Sequence, residues 1–543
     1  MKASDLLVKC LENEGVEYIF GVPGEEVLDL MDSLSRSRIR FVLTRHEQGA
    51  AFMANIYGRL TGRAGVCLST LGPGATNLLT GVADATLDRS PVVAITGQTA
   101  LARRHKESHQ YVDIVRVFRP VTKWNARVER PEVIPELVRK AFRIAEAEKP
   151  GATHLELPED MAQMEALAAP LEVRPIEYPN PSPNSIQQAS AIIEAARQPI
   201  IIAGNGVIRR RAERQLVQLA HKLEIPVTYT FMGKGCIDYS DPACLMAVGL
   251  QSRDWVMCGL ERADVVIAVG YDLVEYSPSS WNPARDKRII HIDTTPSEVD
   301  RHYLPEVEVV AELGQALEAL ARACPARKQF LGHAILREVI MAELGEHSDG
   351  NMPLKPQKMV ADLRLALEND DILISDVGAH KLWIARMFPA IKPNTVIISN
   401  GFASMGLGVP GAIAAKLAHP ERRVVAVCGD GGFMMTSQEL ETARRLGLSF
   451  VVVIWVDGGY GMIEWKQLSR FGTSYGVKFG NPDFVQYARS FGLPGFRIDS
   501  PEQLLPTLKH ALDLELPSII ELPIDYRENL KLTEKLGHLI CPI

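Results

Sequence analysis

The chain has 543 residues, of which 46% are hydrophobic and 23% charged, and its formal net charge at pH 7 is −7. A chain of this length exceeds what a single hydrophobic core supports, so several domains are expected. The acidic balance excludes an electrostatic case for nucleic acid or an anionic membrane as a partner.

Several features of the sequence predict a cytoplasmic protein without a membrane partner. The N-terminal segment lacks the layout of a signal peptide, and no stretch approaches eighteen consecutive apolar residues. The eight cysteines are scattered without metal-ligand spacing, and Cys67 and Cys428 lie in apolar runs. Such cysteines are typical of reduced, buried thiols.

Residues 1–165 alternate strands with helices, which predicts a parallel α/β domain. Each predicted strand ends in a turn, so the turns should gather at one edge of the sheet. The strands are Tyr18–Phe20, Phe41–Thr44, Gly65–Ser69 and Pro91–Thr96. Glu47 follows the second strand and precedes a predicted helix of small residues from Gly49 to Leu60. This setting offers few partners to a carboxyl, although a helix-start glutamate stabilised by the helix dipole is the alternative interpretation.

A polar stretch in the same region carries two histidines, His105 and His109, four residues apart. This spacing occurs in zinc sites, but no third ligand with matching spacing follows. We therefore favour an exposed polar loop over a zinc site.

A proline-rich linker from Pro170 to Pro183, with five prolines, is predicted to join the first domain to a second α/β domain at residues 186–325. The strands predicted in this domain are Pro199–Ala203, Pro226–Thr230, Asp264–Gly270 and Arg288–Asp293. Gly204-Asn205-Gly206 follows the first of them and is an incomplete dinucleotide signature. Arg209–Arg211 is predicted to be a solvated helix face.

Residues 355–543 form the third predicted α/β domain. Val424–Cys428 and Phe450–Val456 are apolar runs that predict buried parallel strands, joined by a helix from Met434 to Leu446. Asp430 and Asp457 follow these strands, so both should lie at the carboxyl edge of the sheet. The glycine-rich turn offers N–H groups to a phosphate, and two carboxylates beside a phosphate suit Mg²⁺. A tight turn followed by a solvated loop is the alternative.

The triplet Gly429-Asp430-Gly431, followed by a helix, a strand and the Asp457 turn, resembles the signature of thiamine diphosphate-dependent enzymes. The family usually has a pair of Asn residues where this chain has Val456-Asp457. The resemblance covers nearly the whole chain in three consecutive domains. Within the family, the chain looks most like acetolactate synthases of the flavin-free, catabolic type.

This resemblance implies a set of cofactor contacts. Mg²⁺ would be held by Asp430, Asp457 and the backbone carbonyl of Gly459. Met405 would support the bent shape of the cofactor. The residues that would contact thiamine diphosphate are Pro23, Gly24, Gly378, Ala379, His380, Ala403, Met405, Gly429, Gly431, Gly432, Tyr460, Gly461 and Met462.

The resemblance also implies catalytic and substrate-binding residues. Glu47, in the context RHEQGAAFMA, would hydrogen-bond the aminopyrimidine ring and promote loss of the proton from C2 of the thiazolium. His109 and Gln110 would line the substrate pocket. Lys466 is interpreted either as a ligand for a substrate carboxylate or as an exposed helix residue.

The implied reaction decarboxylates one pyruvate and adds the resulting hydroxyethyl carbanion to a second, which gives 2-acetolactate and CO₂. Glu26 and Lys466 differ from the residues that the compared synthases carry, so a 2-keto acid decarboxylase or another carboligase is the alternative. A flavin-dependent pyruvate oxidase is less favoured. FAD is not expected, because Gly270–Tyr276 lacks the two arginines of the flavin-containing synthases.

The family's arrangement also has a consequence for assembly. Glu47 and Asp430 lie in different domains, and in this family one cofactor is held by the first domain of one subunit and the third domain of its partner. The resemblance therefore implies a homodimer or homotetramer with active sites at the subunit interface. The segment from Asn529 to Ile543 is a hypothetical cover for the site.

Overall fold

The computed structural model describes residues 1–249, 254–326, 331–345 and 351–529. Within them, three six-stranded sheets follow one another along the chain, and the strand pairs of all three are parallel. The predicted α/β class with parallel sheets is confirmed, whereas the boundaries at 165, 186, 325 and 355 stay predictions. In this described part, no helix is long and apolar enough to cross a membrane.

The first sheet begins at Tyr18. Its strands are β1 Tyr18–Gly21, β2 Arg40–Leu43, β3 Gly65–Ser69, β4 Val92–Gln98, β5 Trp124–Arg127 and β6 Ala152–Pro158. They lie in the order β2-β1-β3-β4-β6-β5. The helices of this region are α1 Ala3–Asn13, α2 Leu28–Ser35, α3 Glu47–Thr61, α4 Gly72–Leu87, α5 Ile114–Phe118, α6 Ile134–Glu146 and α7 Glu159–Gln163.

The central sheet has the doubly wound order β12-β11-β10-β7-β8-β9. Its strands are β7 Pro199–Ala203, β8 Val227–Tyr229, β9 Cys244–Ala247, β10 Val265–Val269, β11 Arg288–Asp293 and β12 Val307–Val310. The helices are α8 Pro183–Ala195, α9 Asn205–Arg209, α10 Glu213–Leu223, α11 Trp255–Arg262, α12 Pro278–Trp281, α13 Leu313–Ala323 and α14 Leu331–Gly345.

The third sheet repeats the topology of the first, in the order β14-β13-β15-β16-β18-β17. Its strands are β13 Ile372–Ser375, β14 Val396–Ile398, β15 Val424–Gly429, β16 Val451–Val456, β17 Gly495–Arg497 and β18 Ser518–Pro523. The helices are α15 Pro356–Ala366, α16 Ala379–Met387, α17 Gly408–Ala418, α18 Asp430–Thr436, α19 Glu439–Arg445, α20 Gly461–Phe471, α21 Phe484–Ser490 and α22 Leu504–Leu512.

The first and third regions share one hydrophobic core. Phe52 and Ile56 of α3 belong to the same buried cluster as Ile413 of α17 and Ile374 of β13. The small residues of α3 and α17 let the two helices approach closely, because alanine and glycine add little bulk to the contact. The elements that carry Glu47 and Asp430 are therefore fixed relative to each other within one chain.

The predicted linker has no regular secondary structure from residue 166 to residue 182, yet it is attached to both of its neighbours. The hydroxyl oxygen of Tyr178 accepts a hydrogen bond of 2.9 Å from the backbone N–H of Glu148. The guanidinium of Arg210 lies 4.4 Å from the centre of the Tyr178 ring, and the carbonyl of Pro179 accepts from the N–H of Glu312 at 2.8 Å.

The predicted helix from Met434 to Leu446 has the wrong bounds. Helix α18 begins at Asp430, whose carboxylate suits a helix start. Ser437 and Gln438 separate α18 from α19. Helix α19 ends at Arg445, shortly before Gly447, which has φ of +64°. The helix predicted from Gly49 also begins earlier, at Glu47, where His46 Nδ1 accepts from the N–H of Gln48 at 3.1 Å.

Candidate active site

A cavity of about 940 Å³ opens at the carboxyl edge of the third sheet. Its volume is in the range of cofactor and substrate sites. Every residue predicted in the third region to bind the cofactor or metal lines it: Gly378, Ala379, His380, Ala403, Met405, Gly429, Asp430, Gly431, Gly432, Asp457, Gly459, Tyr460, Gly461 and Met462. The structure thus brings Asp430 and Asp457 to one edge of the sheet, as the strand ends predicted, together with the residues that the family resemblance implied.

Asp430 and Asp457 follow two adjacent parallel strands, β15 and β16. Asp430 is buried, and its Oδ2 accepts from the N–H groups of Gly458 at 2.8 Å and Asp457 at 3.3 Å. Asn481 Nδ2 donates to the same oxygen at 2.8 Å. Burial and, secondarily, the charge of Asp430 raise the pKa of Asp457 to about 7. This arrangement concentrates negative charge at one point of the cavity wall.

The glycines of the Gly429–Gly432 turn all have negative φ, so a sharp left-handed turn is not their purpose. They permit close approach instead. A Cβ at Gly432 would lie 2.9 Å from Asp376 Oδ2, and one at Gly431 would lie 2.9 Å from the Tyr460 ring. A larger residue at either position would displace the wall of the cavity.

His380 lies at the start of α16 and is buried. Its Nε2 lies 2.8 Å from the carbonyl oxygen of Asp376. Because a carbonyl only accepts, Nε2 carries the hydrogen and Nδ1 carries the lone pair. Burial lowers the pKa of His380 to about 4, so the imidazole is neutral near pH 7. An anion in the cavity would therefore meet a neutral imidazole at His380.

The loop that carries Ala403 and Met405 is held from two sides. Asp84 of α4 accepts from the N–H of Ser404 at 3.2 Å, and Asp376 accepts from the N–H of Gly406 at 3.0 Å. Ala403 has φ of +57°, a conformation that costs a residue with a side chain about 1–2 kcal/mol. Such strain persists only where the surroundings fix it, and these hydrogen bonds fix it here.

Glu47 lies at the carboxyl edge of the first sheet, outside the cavity. Its side chain is 8% exposed, and its Oε2 accepts from Asn77 Nδ2 at 2.9 Å. A Cβ at Gly74 would lie 3.2 Å from Oε1, so that glycine leaves room beside the carboxyl. Pro23 and Gly24 follow β1 at the same edge, and Gly24 packs against the side chain of Thr70.

None of the three predicted substrate residues lines the cavity. His109 and Gln110 are exposed in a loop, and Gln110 has φ of +56°. Lys466 is exposed on α20 and is not among the residues that line the cavity. Among the described residues there is no cluster of three or more His, Cys, Asp or Glu side chains that would hold a metal. His105 and His109 therefore belong to no such cluster.

Three residues of the site were not predicted from the sequence. Asn481, which binds Asp430, lies in a polar stretch without a recognisable pattern. Tyr526 lines the cavity just after β18, a strand that was not predicted. Lys381 also lines the cavity, and its Nζ donates to Asn400 Oδ1 at 3.0 Å. The sequence signal for Lys381 is a lysine in the first turn of a largely apolar helix, α16.

In the central region, a backbone N–H of the glycine-rich turn Gly204–Gly206 is bound by a carboxylate of the same region. The carboxylate of Glu275 accepts from the N–H of Asn205 at 3.1 Å, and it also pairs with Thr230. A Cβ at Gly206 would lie 2.6 Å from the backbone of Gly270. The N–H that a dinucleotide would use is therefore occupied by a carboxylate of the same chain.

Comparisons with known proteins agree with this geometry. Family models of thiamine pyrophosphate enzymes match the chain in order: the N-terminal TPP binding domain at residues 1–117, the central domain at 186–320 and the C-terminal TPP binding domain at 376–522. The fold and these matches define an enzyme that depends on thiamine diphosphate, of the carboligase and transferase kind. The chain belongs to the thiamine pyrophosphate enzyme family.

Relatives within this family are similar over nearly their full length. An acetolactate synthase of Bacillus subtilis is 35% identical, covering 99% of this chain and 97% of the relative. A catabolic acetolactate synthase of Raoultella terrigena is 36% identical, covering 97% and 95%. A probable acetolactate synthase large subunit of Methanocaldococcus jannaschii is 35% identical, covering 99% and 94%.

Proposed function

We propose that this protein is a cytoplasmic acetolactate synthase that uses thiamine diphosphate and Mg²⁺ to join two molecules of pyruvate with loss of CO₂. The observation that carries the proposal is the pairing of Asp430 and Asp457 at the ends of adjacent parallel strands, in a cavity lined by glycine. The similarity to acetolactate synthases along the whole chain supports the choice of reaction.

The donor set of the cavity fits Mg²⁺. Asp430 and Asp457 offer carboxylate oxygens, and Gly459, which would offer its backbone carbonyl, lines the same cavity. Mg²⁺ prefers oxygen ligands and is held by one or two carboxylates together with phosphate oxygens and water. We infer that these three residues hold the ion and that the ion holds the diphosphate.

Thiamine diphosphate, once bound, supplies the carbon nucleophile that attacks a 2-keto group. The chain's own residues bind and orient it. The backbone of Ala379 and His380 at the start of α16 would receive the diphosphate, since a helix start favours an anion. Ala403 and Met405 would contact the other end. Glu47 would hold or move a proton at the aminopyrimidine ring, a task that suits a buried carboxyl with a single amide partner.

Two features support an active site shared by two subunits. The described residues that line the cavity come from the central and third regions, and Glu47 is not among them. Apolar side chains near the cavity are exposed in the single chain, including Phe402, Met434 and Ile463, each 40–49% exposed. A second copy that brings its Glu47 edge to this cavity would complete the site and cover these side chains.

A flavin is not part of the proposal. The carboxylate of Glu275 occupies the N–H of Asn205, and Gly270 packs closely against Gly206. A dinucleotide diphosphate at this turn would meet a carboxylate instead of free donors. The residues present therefore do not fit FAD.

The alternative function is that of a 2-keto acid decarboxylase or another carboligase. Glu26 stands where the compared synthases carry a lysine, and its carboxylate accepts from Thr70 Oγ1 at 2.7 Å. Lys466 is exposed on α20. An acceptor carboxylate therefore lacks the cation expected at position 26, and Lys466 does not line the cavity, which favours a proton as the acceptor in the alternative.

The test is turnover of pyruvate with thiamine diphosphate and Mg²⁺, without added flavin, followed by identification of the products. We expect acetolactate, and acetaldehyde as the main product would establish the alternative instead. The variant Glu47→Gln keeps the size of the side chain but removes its ability to ionise. We expect its turnover to fall by about 100-fold or more, while unchanged turnover would contradict the role of Glu47.

A further inference from the structure

Glu439, in the third region, reaches across to the segment that carries Glu47. It begins α19 and is fully buried, with 0% exposure. Its Oε1 accepts from the backbone N–H groups of Arg45 at 3.0 Å and His46 at 3.1 Å. The residue that follows these two donors is Glu47.

The surroundings of Glu439 are shaped to receive its carboxylate. Thr442 Oγ1 donates to Oε2 at 2.7 Å, and the N–H of Arg45 lies 3.2 Å from the same oxygen. On α3, a Cβ at Gly49 would lie only 2.7 Å from Oε1. A buried carboxylate is tolerated when it is hydrogen-bonded on both oxygens, and Glu439 meets this condition.

These contacts determine where α3 begins. The N–H groups of Arg45 and His46 precede the first helical residue and have no partner inside the helix. By accepting both of them, Glu439 fixes the backbone direction at which the chain enters α3. Glu47 is the first residue of that helix, so the direction of its side chain depends on this entry.

We propose that Glu439 is a positioning residue that sets the orientation of the Glu47 carboxyl. The inference rests on the proposed role of Glu47 at the cofactor ring. It adds that the aligning group comes from the segment that also carries Asp430, because α18 and α19 are separated by only Ser437 and Gln438. One stretch of chain thus binds the metal at its start and aligns the catalytic carboxyl at its end.

The experiment uses the full-length protein loaded with thiamine diphosphate and Mg²⁺. Its main readout is the rate at which the C2 hydrogen of the bound cofactor exchanges with deuterium, followed by NMR after rapid quenching. This rate reports the step assigned to Glu47 and does not depend on substrate. The variant Glu439→Gln keeps the volume of the side chain but removes its negative charge and one of the two oxygens that accept hydrogen bonds in this pocket.

We expect Glu439→Gln to slow C2 exchange and kcat together by about tenfold or more, since a misplacement of about 1 Å costs up to 100-fold. Its affinity for thiamine diphosphate should stay within about twofold of the wild type, because the metal and diphosphate contacts are elsewhere. The matched control is Glu441→Gln, a partly exposed neighbour on α19 that pairs with Arg445; its exchange rate should be unchanged.

A second variant approaches the same contact from the opposite side. Gly49→Ala places a methyl group against Glu439 Oε1 and should slow C2 exchange without removing any charge. Wild-type exchange in both variants would overturn the proposal, even if their thermal midpoints fall, because that pattern is expected of a purely structural contact. If Glu47→Gln itself leaves C2 exchange unchanged, the proposed function of Glu47 fails instead, and the two failures are distinguishable.

Discussion

Asp457 differs chemically from the residue that the family usually carries at this position. An asparagine would offer the same oxygen donor without a charge, whereas Asp457 adds a second carboxylate beside Asp430. Burial and the charge of Asp430 raise the pKa of Asp457 to about 7. If Asp457 holds Mg²⁺ as proposed, protons would compete with the ion for it at physiological pH.

This competition predicts a pH dependence of metal binding. Because the ion binds the deprotonated carboxylate, affinity for Mg²⁺ should fall as the pH drops below about 7, by roughly tenfold between pH 8 and pH 6. The variant Asp457→Asn has no proton to lose at this position, so its affinity should vary less over the same range. Calorimetric titrations at the two pH values measure both, and an equal slope in the two proteins would contradict the assignment.

Lys234 is a second ionisable residue whose environment opposes its charge. It is 1% exposed, and its Nζ donates to the carbonyl of Ala385 at 2.9 Å. Burial lowers its pKa to about 7. In the unfolded chain an ordinary lysine titrates near 10.4, so the unfolded state binds the proton more tightly.

The consequence is a loss of stability as the pH falls from about 10 to about 7, below which the contribution of Lys234 is constant. Lys234→Met keeps the length of the side chain and removes the charge, so its thermal midpoint should exceed that of the wild type at pH 7. The difference should shrink toward pH 10. The exposed Lys509, changed to Met, is the control and should show no such pH-dependent difference.

At the scale of elements, α4 holds the loop between β14 and α17. Asp84 accepts from Ser399 Oγ at 3.0 Å, and Asp88 accepts from the N–H groups of Asn400 at 3.2 Å and Gly401 at 2.7 Å. This loop leads to Ala403 and Met405. The first region therefore supports a loop of the third, just as Glu439 of the third supports a segment of the first.

Removing one of these carboxylates should loosen the loop. Asp88→Ala leaves the partly buried N–H groups of Asn400 and Gly401 without this acceptor, which should cost about 2–4 kcal/mol of unfolding free energy. The concentration of thiamine diphosphate needed for half-maximal activity should rise as well. Asp513→Ala removes an exposed ion pair with Arg423 and should change neither measurement. Equal stability of the two variants would contradict this interpretation.

The strands β3, β7 and β11, which are rich in apolar residues, were predicted at their observed bounds. Other strands were not predicted, because their polar side chains are buried through contacts with residues distant in the sequence. In β6, His154 bonds Thr96 at 2.9 Å and Glu156 pairs with Arg127. These polar side chains interrupt the apolar run, and only their tertiary partners make the strand a buried one.

In the candidate site, too, local sequence predicted some residues, whereas others depend on contacts distant in the sequence. Asp430, Asp457 and the glycines were predictable because a strand end and a turn locate them by local sequence. Asn481 and Glu439 were not, because their partners are 51 and 394 residues away. Local patterns carry no signal for contacts of that separation.

At the scale of the whole molecule, the shared-site proposal predicts complementation between two inactive variants. Glu47→Gln and Asp430→Ala each lack one half of every site in their own homodimers. In a mixed dimer, one site carries both changes and the other carries neither. Random exchange of subunits should therefore restore about a quarter of wild-type activity.

The measurement is activity after the two variants are dissociated, mixed and reassembled, with each variant treated alone as the control. Sedimentation of the mixture establishes that dimers have formed again. If each site lay within one chain, both sites of a mixed dimer would stay defective. Absence of recovery in reassembled dimers would therefore contradict the shared site.

The attachment of the proline-rich connector through Tyr178 restricts how the protein can change shape. A hinge requires a segment whose backbone torsions are free to rotate, but this one is fixed to Glu148 on one side and to Arg210 on the other. Opening and closing during turnover should then occur in surface loops rather than by swinging whole domains. A proteolytic nick between residues 166 and 177 should leave the two fragments associated under native conditions.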